Sequence, residues 1–222
     1  MSKIIVIGSG FSGLAAACCL AKQGYQVTVL EKNQSPGGRA RHFKESGYTF
    51  DMGPSWYWMP DVFERFFAKF DHKVSDFYDL IRLDPSYQML FSGREKYVVP
   101  AQFPQLSALF ESIEPGSANQ LDLFLQQAEI KYNLGMQDFV FRPGNSLFEF
   151  ITLESLKGAY KLDLLHSFHK HVRKFFKHPK LIELLTFPIL FLGATPKNTP
   201  ALYSLMNYAD LKLGTWYPMG GM

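Results

Sequence analysis

Three glycines set the first chemistry that this sequence offers. Gly8-Ser9-Gly10-Phe11-Ser12-Gly13 has the spacing G-x-G-x-x-G. Gly8 suits a tight turn, Gly10 lets backbone approach a pyrophosphate, and Gly13 lets a helix pack closely on the preceding strand. A helix that starts here, with Phe11 and Ser12 in its first turn, presents free N–H groups and a partial positive charge to phosphate oxygens. Glu31 comes eighteen residues after Gly13, where a carboxylate accepts hydrogen bonds from ribose hydroxyls and repels a 2′-phosphate, which disfavours NADP. Lys32, the next residue, is grouped with it. Together these residues describe a cradle for an adenine dinucleotide.

Two further clusters follow. Pro36-Gly37-Gly38-Arg39 combines close backbone approach with a guanidinium suited to phosphate. Asp51-Met52-Gly53-Pro54-Ser55 comes after a short strand-like segment.

The elements that must position these residues are legible too. Ile4 to Ile7 form a β-branched run, as expected for a parallel strand buried on both faces. A helical pattern from Phe11 to about Lys22 stops at Gly24, and Gln26 to Leu30 reads as a second strand. That is a βαβ unit, hence an α/β fold. From about residue 76 the character changes: Tyr87–Phe91 and Tyr97–Val99 flank Ser92-Gly93-Arg94 as an antiparallel hairpin. Helices are expected at 104–113 and 118–134, with Ser117 as N-cap, and residues 146–187 read as mainly helical. Thr199-Pro200 is expected to open a last helix near 200–209 with Pro at its first position.

The 222 residues are 47% apolar and 19% charged, with net charge +3. This is a folding chain without a global reason to bind nucleic acid. Adjacent Cys18 and Cys19 point apart on a helix and imply no disulfide. No signal peptide and no membrane-spanning run is read, so the expected location is cytoplasmic. Phe occurs 21 times, a wide aromatic surface suited to a core or to a large hydrocarbon.

In order and type, the glycine fingerprint, Glu31, the Gly37-Gly38-Arg39-Ala40 segment and Phe50 to Ser55 resemble the FAD-binding amine-oxidase and carotenoid-desaturase superfamily. More specifically, Gly37-Gly38-Arg39-Ala40, Phe50-Asp51-Met52-Gly53-Pro54-Ser55 and the closing Trp216-Tyr217-Pro218-Met219-Gly220-Gly221 make the chain similar to bacterial-type phytoene desaturases. The resemblance implies FAD as cofactor, Arg39 by the pyrophosphate and flavin, and Met52, Gly53, Pro54 and Ser55 near the isoalloxazine. It implies desaturation of a lipophilic polyene, phytoene toward lycopene, with quinone or oxygen as electron acceptor. Amine oxidase, polyene saturase and carotenoid isomerase remain alternatives on the same fold, as does a truncated, non-catalytic FAD-binding fragment.

The expected organisation is an FAD-binding segment over 1–75, a substrate and membrane-associating region over 76–200, and a return toward the first region over 201–222. The fold is thus a Rossmann-like βαβ unit followed by an α+β region with a mainly helical, membrane-facing part. A single βαβ unit and the terminal Gly220-Gly221 pair suggest that it is incomplete.

A polyene loses about 0.8 kcal/mol per CH₂ on exposure to water, so the enzyme is expected to collect it at a membrane surface, peripherally on the inner face. Over 160–178, Leu165, Phe168, Val172, Phe175 and Phe176 fall on one helical face, with Lys170, Arg173, Lys174 and Lys177 on or beside the other. His166, His169, His171 and His178 share this stretch, but without an i, i+4 pair they are not read as metal ligands. Glu149, between Phe148 and Phe150, is a weak candidate for a catalytic base; no catalytic residue is assigned.

Overall fold

The computed structural model describes residues 2–137, 140 and 166–222. They form two compact units, Met1–Ile81 with Trp216–Met222, and Arg82–Thr215.

In the first unit, β1 (Lys3–Ile7) and β2 (Gln26–Leu30) pair in parallel, Lys3 opposite Gln26 and Ile7 opposite Leu30. The crossover is α1 (Phe11–Lys22). Gly8 at φ +97° turns the chain from strand to helix, and Gly24 at φ +86° turns it back, a conformation that costs glycine little. A hairpin of β3 (His42–Glu45) and β4 (Tyr48–Asp51) follows, then α2 (Pro60–Ala68).

β1 departs from the sequence expectation of a strand buried on both faces. Ile5 is 63% exposed and Ile7 86% exposed, while Ile4 and Val6 are half-buried. Side chains alternate along a strand, and α1 packs against only one face of it. Among the described residues the parallel sheet has just two strands, so nothing covers the other face. Cys18 and Cys19 are free, and Cys18 is exposed on α1 rather than packed.

Leu80 and Ile81 of β5 (Leu80–Arg82) also belong to the first unit, as does β8 (Trp216–Pro218), its partner in a two-stranded sheet. Trp216 bridges Tyr57 through reciprocal backbone bonds of 2.9 and 3.0 Å.

The second unit begins with the expected hairpin, β6 (Tyr87–Leu90) and β7 (Lys96–Val99), with Tyr87 opposite Val99. Helices α3 (Phe103–Ile113), α4 (Ser117–Gln137), α5 (Phe168–Phe175), α6 (Pro179–Thr186) and α7 (Leu205–Leu211) enclose its core. Leu106, Phe110, Leu121, Phe124, Phe168, Val172 and Phe176 are 0–1% exposed there.

Two capping expectations change. Ser117 is already the first residue of α4, and its buried hydroxyl has no hydrogen-bond partner among the described residues. The free N–H groups at the start of α4 are met instead by Glu111 of α3, whose carboxylate accepts from Gly116 N at 2.8 Å and Ala118 N at 3.0 Å. Near residue 200, Pro200 lies outside the helix, ahead of a 3₁₀ turn at Ala201–Ser204 that leads into α7.

Three of the residues expected on the membrane-facing side of 160–178 pack inward. Phe168, Val172 and Phe176 are 0% exposed and pack inward, Phe176 edge-on to Phe110 with ring centroids 5.6 Å apart. Phe175, on the same helix, is half-buried. Leu165 and Glu149 lie outside the described residues. Among the described residues, no helix is long and apolar enough to cross a membrane.

Candidate dinucleotide site

The C-terminal end of β1, the N-terminus of α1 and a 3₁₀ turn at Gly38–Ala40 meet around a cavity of about 640 Å³ in the first unit. The structure brings together Gly8, Gly10, Phe11, Ser12 and Gly13 on one side, and Gly38, Arg39, Gly53 and Pro54 on the other. Ile7, Gly37 and Ala40 complete the lining. Lys32, Met52 and Ser55 do not line it; Met52 is 53% exposed and donates its N–H to Arg41 O at 2.8 Å.

The loops stand this close because they carry no side chains at the contact points. A Cβ on Gly13 would lie 2.0 Å from Gly8 O, and one on Gly53 would lie 2.3 Å from Arg39 O. Both would collide with backbone. Gly10 differs: a Cβ there would meet nothing nearer than Gly38 Cα at 3.8 Å. Gly13 and Gly53 therefore serve packing, whereas Gly10 leaves its space to whatever occupies the cavity.

Of two residues not singled out in the sequence, Ser9 joins the two loops and Arg41 braces its own turn. Gly37 N donates to Ser9 O at 2.8 Å, and Arg41 Nε donates to Gly38 O at 2.9 Å. Ser9 is 4% exposed. It occupies a free position of the glycine motif, which gives no signal of its importance.

Glu31 sits beside the cavity at the end of β2. Its Oε2 accepts from Ser9 N at 2.8 Å and Ser9 Oγ at 2.7 Å, and its Oε1 from Asn33 N at 2.9 Å and Asn33 Nδ2 at 2.6 Å. The Ser9 hydroxyl first, then the backbone N–H groups of Ser9 and Asn33, hold the carboxyl down at about 2. Glu31 is therefore a fixed anion at neutral pH. A sugar hydroxyl reaches it by sharing or displacing one of these donors.

The lining combines glycine-rich loops, the start of α1, Arg39 and a few apolar residues, and includes no acidic residue. This arrangement accepts an anion close to backbone N–H groups, while Glu31 to the side is suited to neutral hydroxyls. The residues present fit an adenine dinucleotide. Among the described residues, no group of three or more His, Cys, Asp or Glu is placed to hold a metal.

The family described as NAD(P)-binding Rossmann-like domain matches residues 6–72. The chain is 41% identical to the carotenoid 3,4-desaturase of Haloarcula japonica over 220 residues, covering 99% of this chain and 44% of that protein. It is 33% identical to the zeta-carotene-forming phytoene desaturase of Myxococcus xanthus, covering 99% of this chain and 43% of that protein. It is 36% identical to the 4,4'-diapophytoene desaturase of Staphylococcus aureus, again over 99% of this chain and 44% of the relative. The chain thus spans less than half the length of these relatives.

Among solved structures, a putrescine oxidase bound to putrescine has a TM-score of 0.61 at 20% identity, covering 100% of this chain and 46% of that one. Cyclohexylamine oxidase from Brevibacterium oxydans gives 0.59 at 20% identity, covering 99% and 46%. These likenesses show the fold. By sequence, over 99% of its length, the chain is similar to carotenoid and phytoene desaturases.

Proposed function

We propose that the chain is the FAD-binding part of an oxidoreductase that desaturates a carotenoid precursor, phytoene toward lycopene. The observation that carries the reading is the cavity between the Gly8–Gly13 and Gly38–Arg39 loops, with Glu31 beside it, in a chain similar throughout to carotenoid desaturases.

In this reading, Gly8, Gly10 and the first turn of α1, including Phe11 and Ser12, take the pyrophosphate, and Gly13 keeps the helix against the strand. Glu31 orients the ribose, with Lys32 beside it. Gly38, Arg39 and the Met52–Ser55 segment take the side nearer the flavin. Bound there, FAD would supply the two-electron oxidant for desaturation, in which one carbon of a CH–CH single bond would give up a hydride and its neighbour a proton to a base or water. The lipophilic substrate is collected at a membrane, the protein acting peripherally on its inner face, with quinone or oxygen as the final electron acceptor. The second unit forms part of the substrate region.

The test has two stages. FAD titrated into the 222-residue chain should bind with a change in flavin fluorescence, and Gly10→Ala should weaken that binding without unfolding the protein. Phytoene-loaded vesicles with FAD and a quinone should then yield products with longer conjugation, separated by chromatography. Failure to bind FAD removes the cradle reading. FAD binding without desaturation removes catalysis by this chain.

A further inference from the structure

In the second unit, a separate cavity of about 550 Å³ is lined by Ser167, His169, Lys170, Arg173, Lys174 and Lys197. Five of these side chains are basic and none is acidic. Their placement is held from within the unit. The inward side of α5 is anchored by Phe168 and Val172, both 0% exposed, which turns Lys170, Arg173 and Lys174 outward. The loop bearing Lys197 is tied to the start of α5, since Phe168 N donates to Thr199 O at 2.7 Å and His169 N to Pro196 O at 2.9 Å.

Elsewhere in the unit, lysines find carboxylates: Lys180 pairs with Glu95, and Lys212 with Asp122. Among the described residues, the side chains of Lys170, Arg173, Lys174 and Lys197 make no ion pair or hydrogen bond. Like charges gathered on one wall repel one another, and an anion in their midst relieves that repulsion. His169 reports the same field. Burial, followed by the charges of Arg173 and Lys197, holds its imidazole below the ordinary range.

We infer that this cavity binds a phosphate-bearing anion, with Arg173 and Lys197 as its principal contacts. The inference rests on no part of the redox reading. The phosphate has two sources, a soluble ester or a phospholipid headgroup. The lipid arm of the test is motivated by Leu190 and Phe191, 68% and 60% exposed in the turn that precedes the Lys197 loop.

Inorganic pyrophosphate is titrated calorimetrically into the 222-residue chain. In parallel, the chain is sedimented with vesicles of phosphatidylglycerol and phosphatidylcholine, and with vesicles of phosphatidylcholine alone. Wild type should bind pyrophosphate or the anionic vesicles, with the His169 pKa rising on binding by NMR. Replacing both Arg173 and Lys197 with Gln should weaken binding about fivefold per cation, whereas Arg173→Lys and the distant control Lys44→Gln should bind as wild type. Circular dichroism checks that each variant folds. Pyrophosphate binding without vesicle binding assigns a soluble ester, and preferential vesicle binding assigns a headgroup. No binding of either ligand, or equal loss in Lys44→Gln and the double variant, overturns the proposal.

Discussion

Ser9 gives both its N–H and its hydroxyl to one oxygen of Glu31, at 2.8 and 2.7 Å. The link couples the turn after β1 to the end of β2, so the same residue shapes the phosphate loop and orients the carboxylate. Ser9→Ala removes the hydroxyl, the largest cause of the depressed Glu31 pKa. NMR titration should find that pKa moving from about 2 toward 4.5. A depressed carboxyl pKa adds stability above the unfolded value and loses it as pH falls toward the folded one. In the variant, that acid-side loss should shrink. FAD affinity should fall about tenfold, the scale of one hydrogen bond to a charged group. An unchanged Glu31 pKa would sink the argument.

Gly13 and Gly10 separate packing from binding. Gly13→Ala puts a Cβ 2.0 Å from Gly8 O, so backbone must move. Forced overpacking of this kind costs about 1–3 kcal/mol, read as a lower thermal midpoint. Gly10→Ala meets ordinary contact at 3.8 Å and should unfold as wild type does. Both should lose FAD binding in a fluorescence titration, the first with its fold and the second alone. Equal destabilisation by the two substitutions would contradict this division.

The cradle was legible in the sequence because its requirements are local. Glycine spacing fixes a turn, and the strand-end carboxylate follows at a set distance. The β6–β7 hairpin and the α3 and α4 helices were legible for the same reason, each carrying its own periodicity and turn residues. Contacts made at long range were not. Nothing near Ser117 in the helical pattern announces that Glu111 satisfies the start of α4, and a Ser before an apolar run looks like its own cap. Ser9 was hidden because a motif names only its glycines. The aromatic and basic faces of 168–176 were visible, but periodicity says which residues share a face, not whether lipid or protein covers it. The structure packs Phe168, Val172 and Phe176 inward and leaves Phe175 half-buried. Ile5 and Ile7 fail in the opposite sense: a β-branched run encodes a buried strand, yet burial depends on neighbours that the described residues do not supply.

That bare face has a measurable consequence. Ile5 and Ile7 are 63% and 86% exposed on β1, and Leu30 is 51% exposed on β2 beside it. Contiguous apolar surface of this kind invites association. The 222-residue chain should bind an apolar fluorescent dye while folded and self-associate as concentration rises. Ile5→Thr with Ile7→Thr keeps β-branching and should reduce both signals at least severalfold, with little change in thermal midpoint. Persistent dye binding in the double variant would place the exposed surface elsewhere.

Asp210 makes the second unit sensitive to pH. Its carboxyl is 2% exposed as a residue and receives Tyr87 Oη at 2.6 Å and Thr215 Oγ1 at 2.7 Å. Burial outweighs both hydrogen bonds and lifts its pKa from 3.8 to about 6. An acid with a raised folded pKa contributes stability that is complete below its unfolded pKa, here 3.8, and lost as pH rises through the folded value, here about 6. A shift of this size corresponds to about 3 kcal/mol. Denaturant unfolding followed by circular dichroism should therefore show stability falling by that order between about pH 4 and about pH 7. Asp210→Asn cannot ionise and retains a carbonyl for one hydroxyl donor, so its profile should flatten across the window. Tyr87→Phe instead leaves the carboxylate with fewer donors. It should lower stability at neutral pH by about 1–3 kcal/mol and, because the lost hydrogen bond had held the carboxyl pKa down, extend the loss to higher pH, not remove it. A wild-type profile already flat between these pH values would show that Asp210 stays ionised in the fold.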